Sequence, residues 1–285
     1  MAGQPSWTLQ GGTAVVTGAA SGIGAALSLS LARRGMRLAL VDRDAAGLDA
    51  TARAVQAAGQ AASVHVHVLD LVDLAATAAL PAAVLAAHGR VSVLVNNAGV
   101  ALGGLFEQIA PEDFDWLMAI NFHAPVRLAR AFLPLLARER AAQLVNVSSI
   151  FGIVAPPGQS AYAASKFALR GFSEALRHEL AMSASPVGVT LVHPGGVRTA
   201  ISDNARIAPG LDPAEVAQHR KDWRSLLALP PEVAGERIAR GIERREARVL
   251  VGLDAVGAAW VQRLFPVSYW KHIARDIARR VRRAG

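Results

Sequence analysis

The run Ala14-Val15-Val16 leads straight into Thr17-Gly18-Ala19-Ala20-Ser21-Gly22-Ile23-Gly24, and a helical run follows at once. Gly18 permits a tight turn, Gly22 lets the backbone approach a pyrophosphate, and Gly24 lets strand and helix pack closely. The helix start adds unpaired N–H groups and the positive end of its dipole, which suits phosphate. A glycine-rich turn alone is a common structural device. Its strand–turn–helix setting makes phosphate binding the sharper reading.

Moving outward, short apolar runs alternate with longer Ala/Leu/Arg-rich ones. Residues 14–16, 37–41, 63–69, 91–95, 143–147, 187–192 and 248–251 read as strands; 22–34, 45–58, 74–88, 111–138, 160–182 and 231–245 read as helices. Most strands are continuously apolar, as expected where both faces of a sheet are covered. Strand–helix repetition implies parallel strands with right-handed crossovers. The expected fold is α/β: a single Rossmann-type, doubly wound parallel sheet of about seven strands, helices on both faces, and a C-terminal helical extension. Residues 1–266 are read as one dinucleotide-binding and catalytic domain. Within it, residues 200–230, rich in Pro, Gly, Asp and Arg, suggest a partly helical lid.

Composition narrows the chemistry. With 285 residues, 52% hydrophobic and 18% charged, the chain can bury a substantial core. It has no cysteine, so disulfides, thiolate nucleophiles and Cys-based zinc sites are excluded, and a reducing, cytoplasmic setting fits. No basic stretch followed by an apolar one opens the chain, and residues 253–270 are too interrupted to span a bilayer. The expectation is a soluble, unprocessed protein. Five of the eight net positive charges lie in the last fifteen residues, where Lys271, Arg275, Arg279, Arg280, Arg282 and Arg283 face Asp276 alone. That basicity belongs to a tail and says little about the reacting site.

Several strand ends carry candidate ligands. Asp42 lies 18 residues after Gly24, where a carboxylate can accept hydrogen bonds from an adenosine ribose. It would repel a 2′-phosphate, which favours NAD over NADP. Arg43 next door is the competing feature: a guanidinium that could accept that phosphate, or simply a solvated loop charge. Asp70-Leu71 and Asn96-Asn97-Ala98-Gly99 close the third and fourth strands, where small residues allow close approach.

Strand five ends in Ser148-Ser149, and Tyr162 and Lys166 follow, four apart on one helix face. A phenol needs its pKa lowered by ~3 units, or ~4 kcal/mol, to act as a base near neutrality. An ammonium ~4 Å away at an effective dielectric of ~20 supplies ~4 kcal/mol. Ser149 can hold a substrate oxygen. Taken alone, the pair is an exposed helical couple; the combination of spacings is what points to chemistry.

With these motifs the chain resembles the classical short-chain dehydrogenase/reductase family over about residues 10–200. The matching segments are Thr17 to Gly24, Asn96 to Gly99, Ser149 with Tyr162 and Lys166, and Pro194-Gly195-Gly196-Val197-Arg198-Thr199; Asn121 falls where the family's fourth catalytic residue sits. The resemblance implies that Tyr162 is the acid/base. Lys166 would lower its pKa and bind the nicotinamide ribose, Ser149 orient the substrate, and Asn121 hold a water linked to Lys166. Gly18, Ser21, Gly22, Ile23, Gly24, Asp42, Arg43, Asp70, Leu71, Asn97, Ala98 and Gly99 would hold the adenosine and phosphate half. Pro194, Gly195, Val197 and Thr199 would hold the nicotinamide half. The implied activity is secondary alcohol–ketone interconversion with NAD, by a homodimer or homotetramer. Phe151, Ile153, Val154, Ala155 and Leu226-Leu227 suggest an apolar substrate. Epimerases and dehydratases share the Tyr-Lys pair but fit the glycine spacing less well. A cofactor-sensing binding protein with a recruiting tail is the alternative from another class, and the intact tetrad counts against it.

Other signals stay bland. His65 and His67 share a strand face, but with no clear third ligand they read as surface or core histidines, not a metal site. His193 packs near the site, and Trp116, Trp223, Trp260 and Trp270 read as core, lid or interface residues. Residues 267–285 place Trp270, Ile273, Ile277 and Val281 at helical spacing among arginines, a basic amphipathic helix. Docking on its own domain, packing on another subunit and peripheral contact with an anionic membrane are ranked in that order. No nucleic-acid recognition module is visible.

Overall fold

In a computed structural model, residues 7–58, 63–210 and 212–284 are described. The first half runs β1 (Thr13–Thr17), α1 (Gly22–Ala32), β2 (Arg37–Asp42), α2 (Ala45–Ala57), β3 (Val64–Val68), α3 (Leu74–His88), β4 (Val93–Asn96), β5 (Leu102–Gly103), α4 (Pro111–Met118) and α5 (Ala124–Leu136). The second half runs β6 (Ala142–Val147), α6 (Ser160–Met182), β7 (Val187–Pro194), β8 (Arg206–Ile207), α7 (Pro213–Leu226), α8 (Pro231–Glu243), β9 (Arg248–Val251), α9 (Leu253–Leu264) and α10 (Tyr269–Ala284). Residues 1–6 and 59–62 of the expected domain, residue 211 of the expected lid and Gly285 of the expected terminal helix lie outside the described residues.

Seven strands form one sheet in the order β3-β2-β1-β4-β6-β7-β9, every pair parallel. The chain winds outward from β1 in one direction and from β4 in the other. The crevice at their carboxyl ends is therefore the switch point where such sheets bind ligands.

Both faces of the sheet are dry. Alternate residues of one strand enter different cores: Val16 joins Leu27, Leu31, Leu38 and Ile238, while Val15 joins Ala39, Leu94, Leu128 and Phe132. This is why the inner strands read as unbroken apolar runs. The outer strand β3 is only partly covered, and its alternation of Val and His reflects that.

The segment expected as one helix over 111–138 is two helices joined by a wide π turn at Ala119–His123. Asn121 lies in that turn. Its Nδ2 donates to Val100 O and its Oδ1 accepts from Val100 N, both at 2.9 Å, a tertiary pairing that periodicity cannot show. The segment over 200–230 contains α7, capped by Asp212, whose carboxylate accepts from Ala214 N at 2.8 Å. Its ends are pinned to the body by parallel pairing of β5 with β8 and by Val197 with Leu229.

Helix α10 docks on its own chain. Tyr269 and Ile273 pack with Ile153, Val154 and Ala258, and the helix lies against α7 and α9.

Candidate active site

The glycine turn after β1 is locked from the end of β4. Thr17 Oγ1 donates to Val95 O and accepts from the amides of Asn97 and Ala98 at 3.0 and 3.1 Å. Asn97 Nδ2 donates back to Thr17 O and Gly18 O at 2.9 and 3.2 Å. Asn97 thus shapes the turn itself. Gly18 has φ +67°, and a Cβ on Gly24 would lie 2.0 Å from Gly18 O, so no side chain fits there. Ser21 makes no side-chain capping bond and the first turn of α1 has no acid, which leaves its leading amides free for an anion. Thr199 meets the same turn: a Cβ on Gly22 would sit 3.0 Å from its Cγ2. The segment after β7 and the glycine turn therefore face one crevice.

Asp42 closes β2 and accepts from the amides of Ala20, Arg43 and Asp44 at 3.1, 2.7 and 3.1 Å. Arg43 reaches away toward Asp70, 3.8 Å off, in an exposed pair. Leu71 buries its side chain in the core, and its carbonyl accepts from Arg127 at 3.1 Å.

Ser149 follows β6, and Tyr162 and Lys166 rise from α6. The Ser149 hydroxyl is hydrogen-bonded to the Tyr162 phenol, which favours the phenolate, yet burial is the larger effect and pushes the phenol up to about 12. Lys166 Nζ lies 5.6 Å from the Tyr162 ring centre and donates to Val147 O at 3.2 Å. Burial lowers its pKa to about 8. Asn121 stands beside it: a Cβ on Gly99 would lie 3.2 Å from Asn121 Oδ1 and 3.3 Å from Lys166 Nζ.

The short chain dehydrogenase family model matches residues 12–209. The chain belongs to the short-chain dehydrogenase family. It is 41% identical over 272 residues to a Mycobacterium tuberculosis protein named as an oxidoreductase, SadH, covering 95% of this chain and 97% of that one. A Burkholderia phymatum short-chain dehydrogenase/reductase solved with NAD superposes with a TM-score of 0.80 at 28% identity, over 90% of this chain and 95% of that chain. A metagenomic short-chain oxidoreductase solved with NADP gives 0.68 at 35%, over 85% and 97%.

Around its site this short-chain dehydrogenase uses residues that no local motif announces. His193 is buried, and its Nδ1 lies 2.8 Å from Ser149 O. Burial holds that imidazole neutral, with its pKa down at about 4. Asp254 Oδ2 accepts from Gly196 N at 2.6 Å, bracing the Pro194-Gly195-Gly196 segment from the start of α9. Phe151 packs edge-on to Tyr162 and to Trp223 of α7, with centroids 6.1 and 5.8 Å apart. Ser165 accepts from Asn121 Nδ2 at 3.2 Å. The dehydrogenase also brings a third histidine to the strand pair: His65 Nδ1 lies 3.2 Å from His88 Nε2. Among the described residues no group of three His, Cys, Asp or Glu is placed to hold a metal ion.

Proposed function

We propose that this oxidoreductase interconverts a secondary alcohol and a ketone of apolar character, with Tyr162 carrying the proton. The observation that carries the reading is the Ser149–Tyr162 hydrogen bond beside buried Lys166, at the mouth of a glycine turn shaped for phosphate. Related structures hold NAD in one case and NADP in another, which supports a nicotinamide cofactor here. The free amides after Ser21 would receive its pyrophosphate. Asp42, Asp70, Leu71, Ala98 and Gly99 would line the adenosine side, and Pro194, Gly195, Val197 and Thr199 the nicotinamide side. The Asp42 carboxylate favours NAD, and Arg43 beside it reaches toward Asp70 in an exposed pair.

Once bound, the nicotinamide supplies hydride chemistry. Ser149 holds the substrate oxygen, and Tyr162 gives it a proton in reduction or removes one in oxidation. A phenol near 12 is protonated at neutral pH and so carries the proton that reduction consumes. Accepting a proton near neutrality calls for more positive charge, which the Lys166 ammonium and an oxidised cofactor provide together. Asn121 and Ser165 position the region around Lys166. Phe151, Ile153, Val154 and Trp223 offer apolar and aromatic walls.

Tyr162→Phe should lower turnover by roughly 10²–10⁴-fold while NADH binding, read by fluorescence, persists. Unchanged turnover would remove Tyr162 from the mechanism. A panel of ketones and secondary alcohols, followed by absorbance of the reduced nicotinamide, identifies the substrate class.

A further inference from the structure

Helix α9 is built inside out. Its inward positions carry small residues, Ala255 and Ala258, 0% and 8% exposed. Its large apolar residues point outward: Leu253 is 91% exposed, Val256 36%, Trp260 60% and Leu264 65%. At 100° per residue these four fall within one narrow arc, a continuous stripe along the helix. Phe265 and Val267, also exposed, extend it past the helix end. Isolated exposed apolar residues need no explanation. A stripe of this kind does.

The charge around the stripe is predominantly positive. From residue 247 onward the only acids are Asp254 and Asp276, against Arg248, Arg263, Lys271, Arg275, Arg279, Arg280, Arg282 and Arg283. Asp254 is turned inward to Gly196 N. Arg263 flanks the stripe, and Lys271 and Arg275 are exposed on α10, which packs against α9. Phe265 stacks on His272 at 4.4 Å and joins the two helices at that end. Helix α10 spends its own apolar residues, Tyr269 and Ile273, on the body of the protein, so the exposed apolar face belongs to α9 and the basic one to α10.

We infer that α9 and α10 together form a docking face for an anionic lipid surface, with the α9 stripe entering the headgroup–acyl boundary and the α10 cations meeting lipid phosphates. An exposed tryptophan and phenylalanine bordered by arginine and lysine match that interface. A second copy of the chain on this stripe would bring two basic tails together, whereas an anionic bilayer is complementary to both halves. No described helix is long and apolar enough to cross a membrane, so the attachment is peripheral. Its test reads binding rather than turnover.

The full chain should co-sediment with vesicles of phosphatidylcholine mixed with phosphatidylglycerol, bind phosphatidylcholine vesicles far less, and release as salt rises. The double substitution Trp260→Glu, Leu264→Glu should lower partitioning roughly tenfold or more. Lys271→Glu should cost about fivefold on anionic vesicles alone. Absence of binding to anionic vesicles, or binding indifferent to the double substitution, overturns the proposal. So does a fall in mass at sedimentation equilibrium in the double variant without vesicle binding by the wild type, which assigns the stripe to a second copy. Should the double variant melt early, quenching of wild-type fluorescence by brominated lipid, compared with Trp260→Phe, reads the same contact. Equal quenching in both would count against it.

Discussion

The backbone amide of Ala155 donates to the phenolic oxygen of Tyr269 at 3.1 Å, across 114 residues of sequence. The bond ties the loop after Ser149 to the C-terminal helix, beside the apolar cluster of Ile153, Val154 and Ile273. Tyr269→Phe keeps the packing and removes the acceptor. Because the bond is exposed, stability should fall by no more than about 1 kcal/mol. The loop's freedom should show instead as a several-fold rise in KM for substrate, with kcat changed less. Steady-state kinetics check this; an unaltered KM would detach α10 from substrate binding.

Lys166 is 3% exposed, and burial lowers its pKa from 10.5 to about 8. Near pH 7 it is nonetheless charged, so the fold carries a cost for it. That cost disappears only as pH rises from about 8 towards 10.5, where the amine is neutral in the folded chain and still charged in the unfolded one. Lys166→Met should therefore raise the melting temperature, by about 1–3 kcal/mol of stability after loss of the bond to Val147 O, while abolishing turnover. A destabilised Lys166→Met protein would mean that the amine is compensated in a way desolvation alone does not describe.

Two buried histidines set the acid limit. His193 and His88 stand at about 4, the first held down by burial, the second by burial and then by His65, His67 and Arg37. Their folded pKa values lie below the ordinary ~6.5, so the unfolded chain takes up protons first. The stability this represents is complete above about pH 6.5 and is lost as pH falls toward 4. For His193 the loss should reach about 2 kcal/mol by pH 5, a drop visible in thermal melts between pH 7 and 5. His193→Gln should flatten that slope. A melting temperature indifferent to pH over this window would contradict it.

The proposed preference for NAD rests on Asp42. Asp42→Ser removes the carboxylate that repels a 2′-phosphate and leaves Arg43 nearby. NADPH affinity should then rise relative to NADH by roughly tenfold or more in fluorescence titrations, about 1.4 kcal/mol. Wild-type protein that already prefers NADPH would reverse the assigned role of Asp42.

Sheet strands, most helix positions, the glycine turn and the Ser149, Tyr162, Lys166 spacing were legible because each depends on neighbours within a few residues. Periodicity marks which face of an element is apolar, and glycine marks where a Cβ would collide, as at Gly24 against Gly18 O. The π turn at Asn121, the brace from Asp254 to Gly196, the contact of His193 with Ser149 O and the pairing of Phe151 with Trp223 were not legible. Each joins segments distant along the chain, and nothing local records the partner.

The sequence by itself determined the α/β class and the glycine turn after β1, since these follow from local chain chemistry. Only the tertiary structure decided the electrostatics and the outer surface. Burial raises the Tyr162 phenol that spacing alone would make acidic, and it turns Ala255 inward and Trp260 outward on the same helix. Desolvation depends on everything packed around a group, and that exists only once the chain has folded.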